Sequence, residues 1–186
     1  LALLVPEHGE ALSTVHKYHL RGGVAVDGVA VLSSPTAYAR GTIQLALPPN
    51  PRIVAAFLYV NYKDALADGP GYNPAFNPSI KLDGTTFDLA TATPATGSGS
   101  VGYYKFDVTS QVSAKAAGFA GGLLSFTVDE RGDDTSKACS IENEIDGVVL
   151  VVVWGHDSVK PRVVSIVEGF GRTATVELAA PFDRTI

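Results

Sequence analysis

The chain has 186 residues, 46% of them hydrophobic, with 14 Lys+Arg against 19 Asp+Glu and a net charge of -5. At roughly 100–200 residues per domain this is one domain with apolar mass for its own core, so global disorder is excluded. No Lys/Arg cluster is present, the longest apolar run (Val148 to Trp154) is far shorter than a membrane helix, and Cys139 is the single cysteine. The sequence therefore predicts no nucleic-acid partner, no transmembrane segment and no internal disulfide framework.

The first residues are Leu1-Ala2-Leu3-Leu4-Val5, and the chain holds no Met. Removal of an export signal would leave such a start, so a secreted or cell-surface location is expected. Residues 1–12 read as an apolar N-terminal segment and 13–186 as the folded domain. His16, Tyr18, His19 and Leu20 alternate like a strand, which puts the two histidines on opposite faces, unable to share a metal. Turn signals then recur roughly every ten residues, Arg21-Gly22-Gly23 among them, with short β-prone runs between.

Val24–Val26 and Val29–Leu32 flank Asp27-Gly28, a strong hairpin signal; a bent continuous strand is the alternative. Thr42–Leu47 alternates Ile43, Leu45 and Leu47 with Thr42, Gln44 and Ala46, so one face is buried. Ile53–Asn61 is apolar on both faces and reads as a central strand. Ser79–Leu82 and Thr85–Leu89 flank Asp83-Gly84, a second tight hairpin. Residues 90–100 read as a surface loop. Tyr103–Val108 is a strand, and Thr109–Gly118 a short helix capped by Thr109 or Ser110 and ended by Gly118. Leu123–Val128, Val148–Trp154, Arg162–Val167 and Thr173–Leu178 complete the strands. The fold expected is all-β: a single antiparallel β-sandwich, jelly-roll or Ig-like, with at most one short connecting helix.

Three segments carry a resemblance: Arg52–Tyr62 (RIVAAFLYVNY); Tyr104–Val112 (YKFDVTSQV) followed by 122–128; and Asp146–Trp154 (DGVVLVVVW) followed by Lys160–Gly169. In this order they resemble an uncharacterised family of secreted β-sandwich domains in bacterial and archaeal surface proteins. Its pattern is a strand with AFLYW, a DVT..V strand and turn, and an LVVVY strand. The resemblance covers about residues 41–170. Val60 stands where the family shows Trp, and Trp154 where it shows Tyr. The resemblance implies extracellular, surface or matrix use and brings no catalytic residues.

Asp129, Glu130, Asp133, Asp134, Glu142, Glu144 and Asp146 crowd seven carboxylates into residues 129–146, and calcium takes its oxygens from such stretches. The spacing is not that of a calcium loop, and a solvated acidic loop is the favoured reading. Tyr59, Tyr62, Tyr72, Phe76, Tyr103, Tyr104 and Trp154 supply rings suited to sugar stacking. Tyr62, Tyr72 and Phe76, in a long aromatic and Pro-rich stretch, form the candidate ligand loop for a surface glycan. Gly97-Ser98-Gly99 lacks a nucleophile elbow, His156-Asp157 reads as a turn, and Cys139 as structural. No enzyme and no required cofactor is expected.

The function expected is an extracellular structural protein whose copies self-assemble into a surface fibre, pilus-like filament or matrix. Leu1, Leu3, Leu4 and Val5 are the candidate inserted strand, since an apolar strand pairs in cis or enters a neighbour in trans. The alternative is an adhesive or glycan-binding module of a cell-surface protein, with calcium at the acidic stretch.

Overall fold

The computed structural model describes residues 13–30, 39–63, 79–91, 93–98, 101–131 and 144–168. Alternation writes the inner faces of its strands. In β2 (Ala39–Leu47) Ile43, Leu45 and Leu47 are buried while Thr42, Gln44 and Ala46 are exposed. In β8 (Gly122–Arg131) Leu124, Phe126, Val128 and Glu130 point inward. Strands β3 (Arg52–Lys63) and β9 (Glu144–Gly155) are apolar on both faces because both faces are covered.

The remaining elements are β1 (Ser13–Val29), β4 (Ser79–Leu82), β5 (Thr85–Asp88), β6 (Thr93–Ser98), β7 (Val101–Asp107), α1 (Thr109–Ala116) and β10 (Pro161–Glu168). One sheet runs β10-β1-β9-β3-β7-β6 and the other β2-β8-β4-β5. All the described pairings are antiparallel. The fold is thus the all-β, two-sheet, sandwich-like arrangement expected, with α1 as the short connector. Between the sheets lie Ile43, Leu45, Leu58, Val60, Ile80, Leu82, Phe126, Val128 and Leu150. Asp27 on β1 closes the seam, its Oδ2 accepting the Gln44 N–H of β2 at 2.7 Å.

Strand β1 belongs to two structures. Ser13–Arg21 pairs with β10, and Gly22–Val29 pairs with β9. The change comes at Gly22-Gly23. A Cβ on Gly22 would lie 1.9 Å from the Trp154 carbonyl oxygen, and one on Gly23 would lie 2.9 Å from the Trp154 ring. Glycine permits that close approach. Beyond it the β1–β10 ribbon lies over the outer face of the long sheet. Its Tyr18, Leu20, Val164 and Ile166 pack on Ala55, Phe57 and Val153.

Four expectations need correction. Asp27-Gly28 is not a hairpin turn: β1 runs straight through it, Asp27 opposite Leu150 and Gly28 opposite Val149. The β9 ladder supplies partners across both residues, so no reversal is needed. Residues 90–100 are not simply a loop. Leu89–Thr91 form a 3-10 turn and Thr93–Ser98 form β6, an edge strand on β7. Neither Thr109 nor Ser110 caps α1. The N-cap is Val108, and Asp107 Oδ1 accepts the Thr109 N–H at 2.9 Å. Thr109 Oγ1 is taken instead by the Ala56 N–H of β3 at 2.9 Å. Arg21-Gly22-Gly23, another turn signal, also lies inside β1, whereas Asp83 and Gly84 turn with φ of 49° and 83°, and Gly118 ends α1 with φ of 72°. Thr173–Leu178 lies outside the described residues.

Gly22→Ala is expected to destabilise the fold by about 2 kcal/mol or more, because a backbone atom blocks the new methyl. Gly118→Ala meets nothing within 4 Å. It carries only the left-handed backbone cost, about 1–2 kcal/mol. Urea denaturation of both variants checks the order.

Candidate functional site

The outer face of the long sheet divides into a covered and an open part. Tyr59 on β3 and Lys105 on β7 are opposite each other in register and both point outward. The Tyr59 hydroxyl donates to Glu168 Oε1 of β10. Lys105 Nζ lies 3.0 and 3.2 Å from the two Glu168 oxygens and 5.6 Å from the Phe57 ring centroid. His16 of β1 stacks on Phe57 with ring centroids 4.6 Å apart. Burial, then the hydrogen bond and charge of Glu168, push the Tyr59 phenol far above its ordinary value. Burial and then Asp107 raise that of Tyr18. Both Glu168 oxygens are engaged, so this cluster acts as a clamp holding the ribbon down.

Beside the clamp the same face is open, with Tyr59 itself at the border. Val24 is 47% exposed, Val26 57%, Val149 40% and Tyr103 36%. A shallow, mainly apolar groove of about 310 Å³ crosses β1, β9, β3 and β7, with Gly28, Ala30, Asn61, Tyr103, Gly147 and Val149 among its lining. Asn61 Oδ1 is buried without a hydrogen-bond partner. Among the described residues, no strand pairs with the second edge of Gly22–Val29, since β10 stays with Ser13–Arg21.

The family described as "Protein of unknown function (DUF3344)" matches residues 7–182. The chain belongs to this family. No curated protein matches it. Membership of an uncharacterised family agrees with the motif resemblance at that level. The DUF3344 match also reaches past residues 41–170 to take in β1 and its ribbon.

In this DUF3344 domain the residues expected to act fall apart. Leu1, Leu3, Leu4 and Val5 lie outside the described residues, as do Tyr72, Phe76, Asp133, Asp134, Cys139 and Glu142. Tyr62 sits on β3, its backbone opposite Gly102 and Ile145. Asp129 and Glu130 face opposite sides of β8: Glu130 is fully buried inside, and Asp129 meets Arg40 of β2 at 2.6 and 3.0 Å. That guanidinium fork holds the Asp129 carboxyl below its ordinary value. Glu144 and Asp146 are on β9, in the other sheet. Among the described residues no three His, Cys, Asp or Glu lie together as a metal site. The aromatic set is also split. Tyr103 faces outward, whereas Tyr104 and Trp154 pack on the inner core. His156 and Ser158 form a local turn contact, Oγ to Nδ1 at 2.7 Å.

Sequence reasoning missed Asn61, Val149 and the open face of β1. The signal was Val24 and Val26 on one side of Ala25, hidden by taking Asp27-Gly28 as a turn.

Tyr59→Phe leaves a mostly buried carboxylate with one donor fewer. It is expected to cost about 1–3 kcal/mol. The raised phenol pKa contributes stability below the unfolded value near 10, and this is lost as pH rises through the folded value. The gap between wild type and variant should therefore narrow as pH rises above about 10. Thermal melts from pH 7 upward test both points.

Proposed function

We propose that this protein is a non-catalytic structural subunit that works outside the cell. Its copies join into a fibre, pilus-like filament or matrix by strand addition through Leu1, Leu3, Leu4 and Val5. The observation that carries this reading is the second half of β1, where Val24 and Val26 are half exposed and, among the described residues, no strand forms a ladder on the edge away from β9, the Asp27 side chain reaching Gln44 of β2 there. Such an edge presents free N–H and C=O groups to another chain. An incoming strand gains main-chain hydrogen bonds there and buries alternate side chains. A head-to-tail contact of this kind does not close on itself, so it propagates. The extracellular setting follows from the motif resemblance and is part of the proposal.

A second reading is an adhesive or glycan-binding module. It is favoured by Tyr103, exposed beside the buried Asn61 amide. A phenol ring stacks on a sugar plane, and Asn61 Oδ1 would accept from a hydroxyl. Calcium dependence through the acidic stretch belongs to this reading.

Negative-stain electron microscopy of the untagged full chain distinguishes them. Regular filaments or sheets are expected as concentration rises, and the double substitution Leu3→Glu, Leu4→Glu should abolish them. Dispersed monomers from the unaltered chain at every concentration would defeat the structural reading. A melting-temperature shift with a glycan would then favour the second.

A further inference from the structure

We infer that the polar cavity between the β2–β3 turn and the end of β9 is a binding site for a uronic acid, a sugar that carries a carboxylate. The cavity adjoins Gly155, whereas the groove beside Tyr103 adjoins Gly147. The two therefore sit about 26 Å apart along β9. The inference does not depend on whether copies of the chain join, or on that groove.

Asn50, Arg52, Gly155, His156 and Asp157 line a volume of about 300 Å³. That is the small end of ligand sites, room for a single sugar ring. Arg52 opens β3 and stands opposite Gly155 in the ladder. Because Gly155 has no side chain, the guanidinium lies over it. A Cβ there would be 2.9 Å from Arg52 Nη2 and 3.1 Å from Nε. Arg40, Lys105 and Lys115 each have a carboxylate partner, but among the described residues Arg52 has none. Asp157 lines the same cavity and forms no ion pair with it. Two opposite charges thus line one cavity without meeting.

Backbone bonds fix the walls. Asn50 is left-handed, with φ of 48°, and its N–H donates to the Phe119 carbonyl at 2.8 Å. The His156 N–H donates to the Arg21 carbonyl at 2.8 Å. His156 Nδ1 accepts the Ser158 N–H at 3.3 Å and lies 2.7 Å from its Oγ. The neutral ring then carries its proton on Nε2, a donor without a partner among the described residues. A site held in place this way loses little freedom on binding.

The residue types select the ligand. An arginine fork matches a carboxylate with two parallel N–H···O bonds. Asp157 opposes a second negative charge, so a monoanion suits the cavity better than a phosphate dianion. The Asp157 carboxylate accepts from a hydroxyl, the His156 Nε2–H donates to one, and the Asn50 amide does either. One carboxylate among several hydroxyls on one ring is a uronic acid.

The test titrates the full chain with glucuronate, galacturonate, mannuronate and a polyuronate oligomer, followed by nitrogen–proton NMR. At least one uronate should shift the signals of Arg52 and His156 with a Kd of about 1 mM, and its neutral hexose should bind about tenfold more weakly or worse. Arg52→Gln, at an exposed position, should weaken binding about tenfold or more, and Arg52→Lys should not restore it. Gly155→Ala puts a methyl where the guanidinium lies, and should weaken binding although Arg52 is still present. Asp157→Asn should admit a hexose phosphate that the unaltered chain rejects. Tighter binding of the oligomer would support the proposal with a polysaccharide as the source, and equal binding would support it with a free sugar. If none of the uronates binds, or if binding persists in folded Arg52→Gln, the proposal is overturned. Acetate binding as tightly as the uronates would overturn the sugar assignment.

Discussion

The close approach of β1 to Trp154 at Gly22-Gly23 sets the rest of the molecule. With no Cβ at either position, β1 leaves the ladder with β9 and starts a second one with β10. The ribbon then covers Ala55, Phe57 and Val153 and gives β3 and β9 their second apolar face. The same departure leaves Gly22–Val29 without β10 along its edge. One backbone contact therefore produces both the covered half of the outer face and the open half.

Polar groups hold the seams of this structure. Asp27 caps an edge amide of β2, and Asp83 accepts the Thr127 N–H at 2.8 Å while meeting Lys115 at 2.5 Å. Glu168 is held by Tyr59 and Lys105. Such pairs contribute modestly where exposed and more where buried. Tyr59, which also lines the groove, is the point where that clamp borders the open part of the face.

Much of the fold was legible in the sequence because strand alternation and core burial say the same thing. Ile43, Leu45 and Leu47 fixed the inner face of β2, and the double apolarity of Ile53–Asn61 fixed a central strand. Two Asp-Gly pairs show where legibility stops. Asp83-Gly84 turns with positive φ at both residues. Asp27-Gly28 stays in a strand, where a Cβ on Gly28 would lie 2.8 Å from the Val148 carbonyl oxygen. The dipeptide demands little bulk in both places. Only the distant partner strand decides whether that serves a turn or a close approach. The candidate site was harder to read for the same reason. Whether Val26, Asn61 and Val149 are covered depends on where the ribbon lies, and Arg21-Gly22-Gly23 gave only a turn signal.

The proposed strand addition requires the second half of β1 to gain a ladder partner on assembly, on the edge away from β9. Hydrogen–deuterium exchange of peptides covering residues 22–30, at concentrations below and above assembly, tests it most directly. Dilute chain should protect only the amides turned toward β9, so part of the segment exchanges quickly. Assembly should protect the rest. Full protection in the dilute monomer, or fast exchange of the same amides in assembled material, would contradict the account.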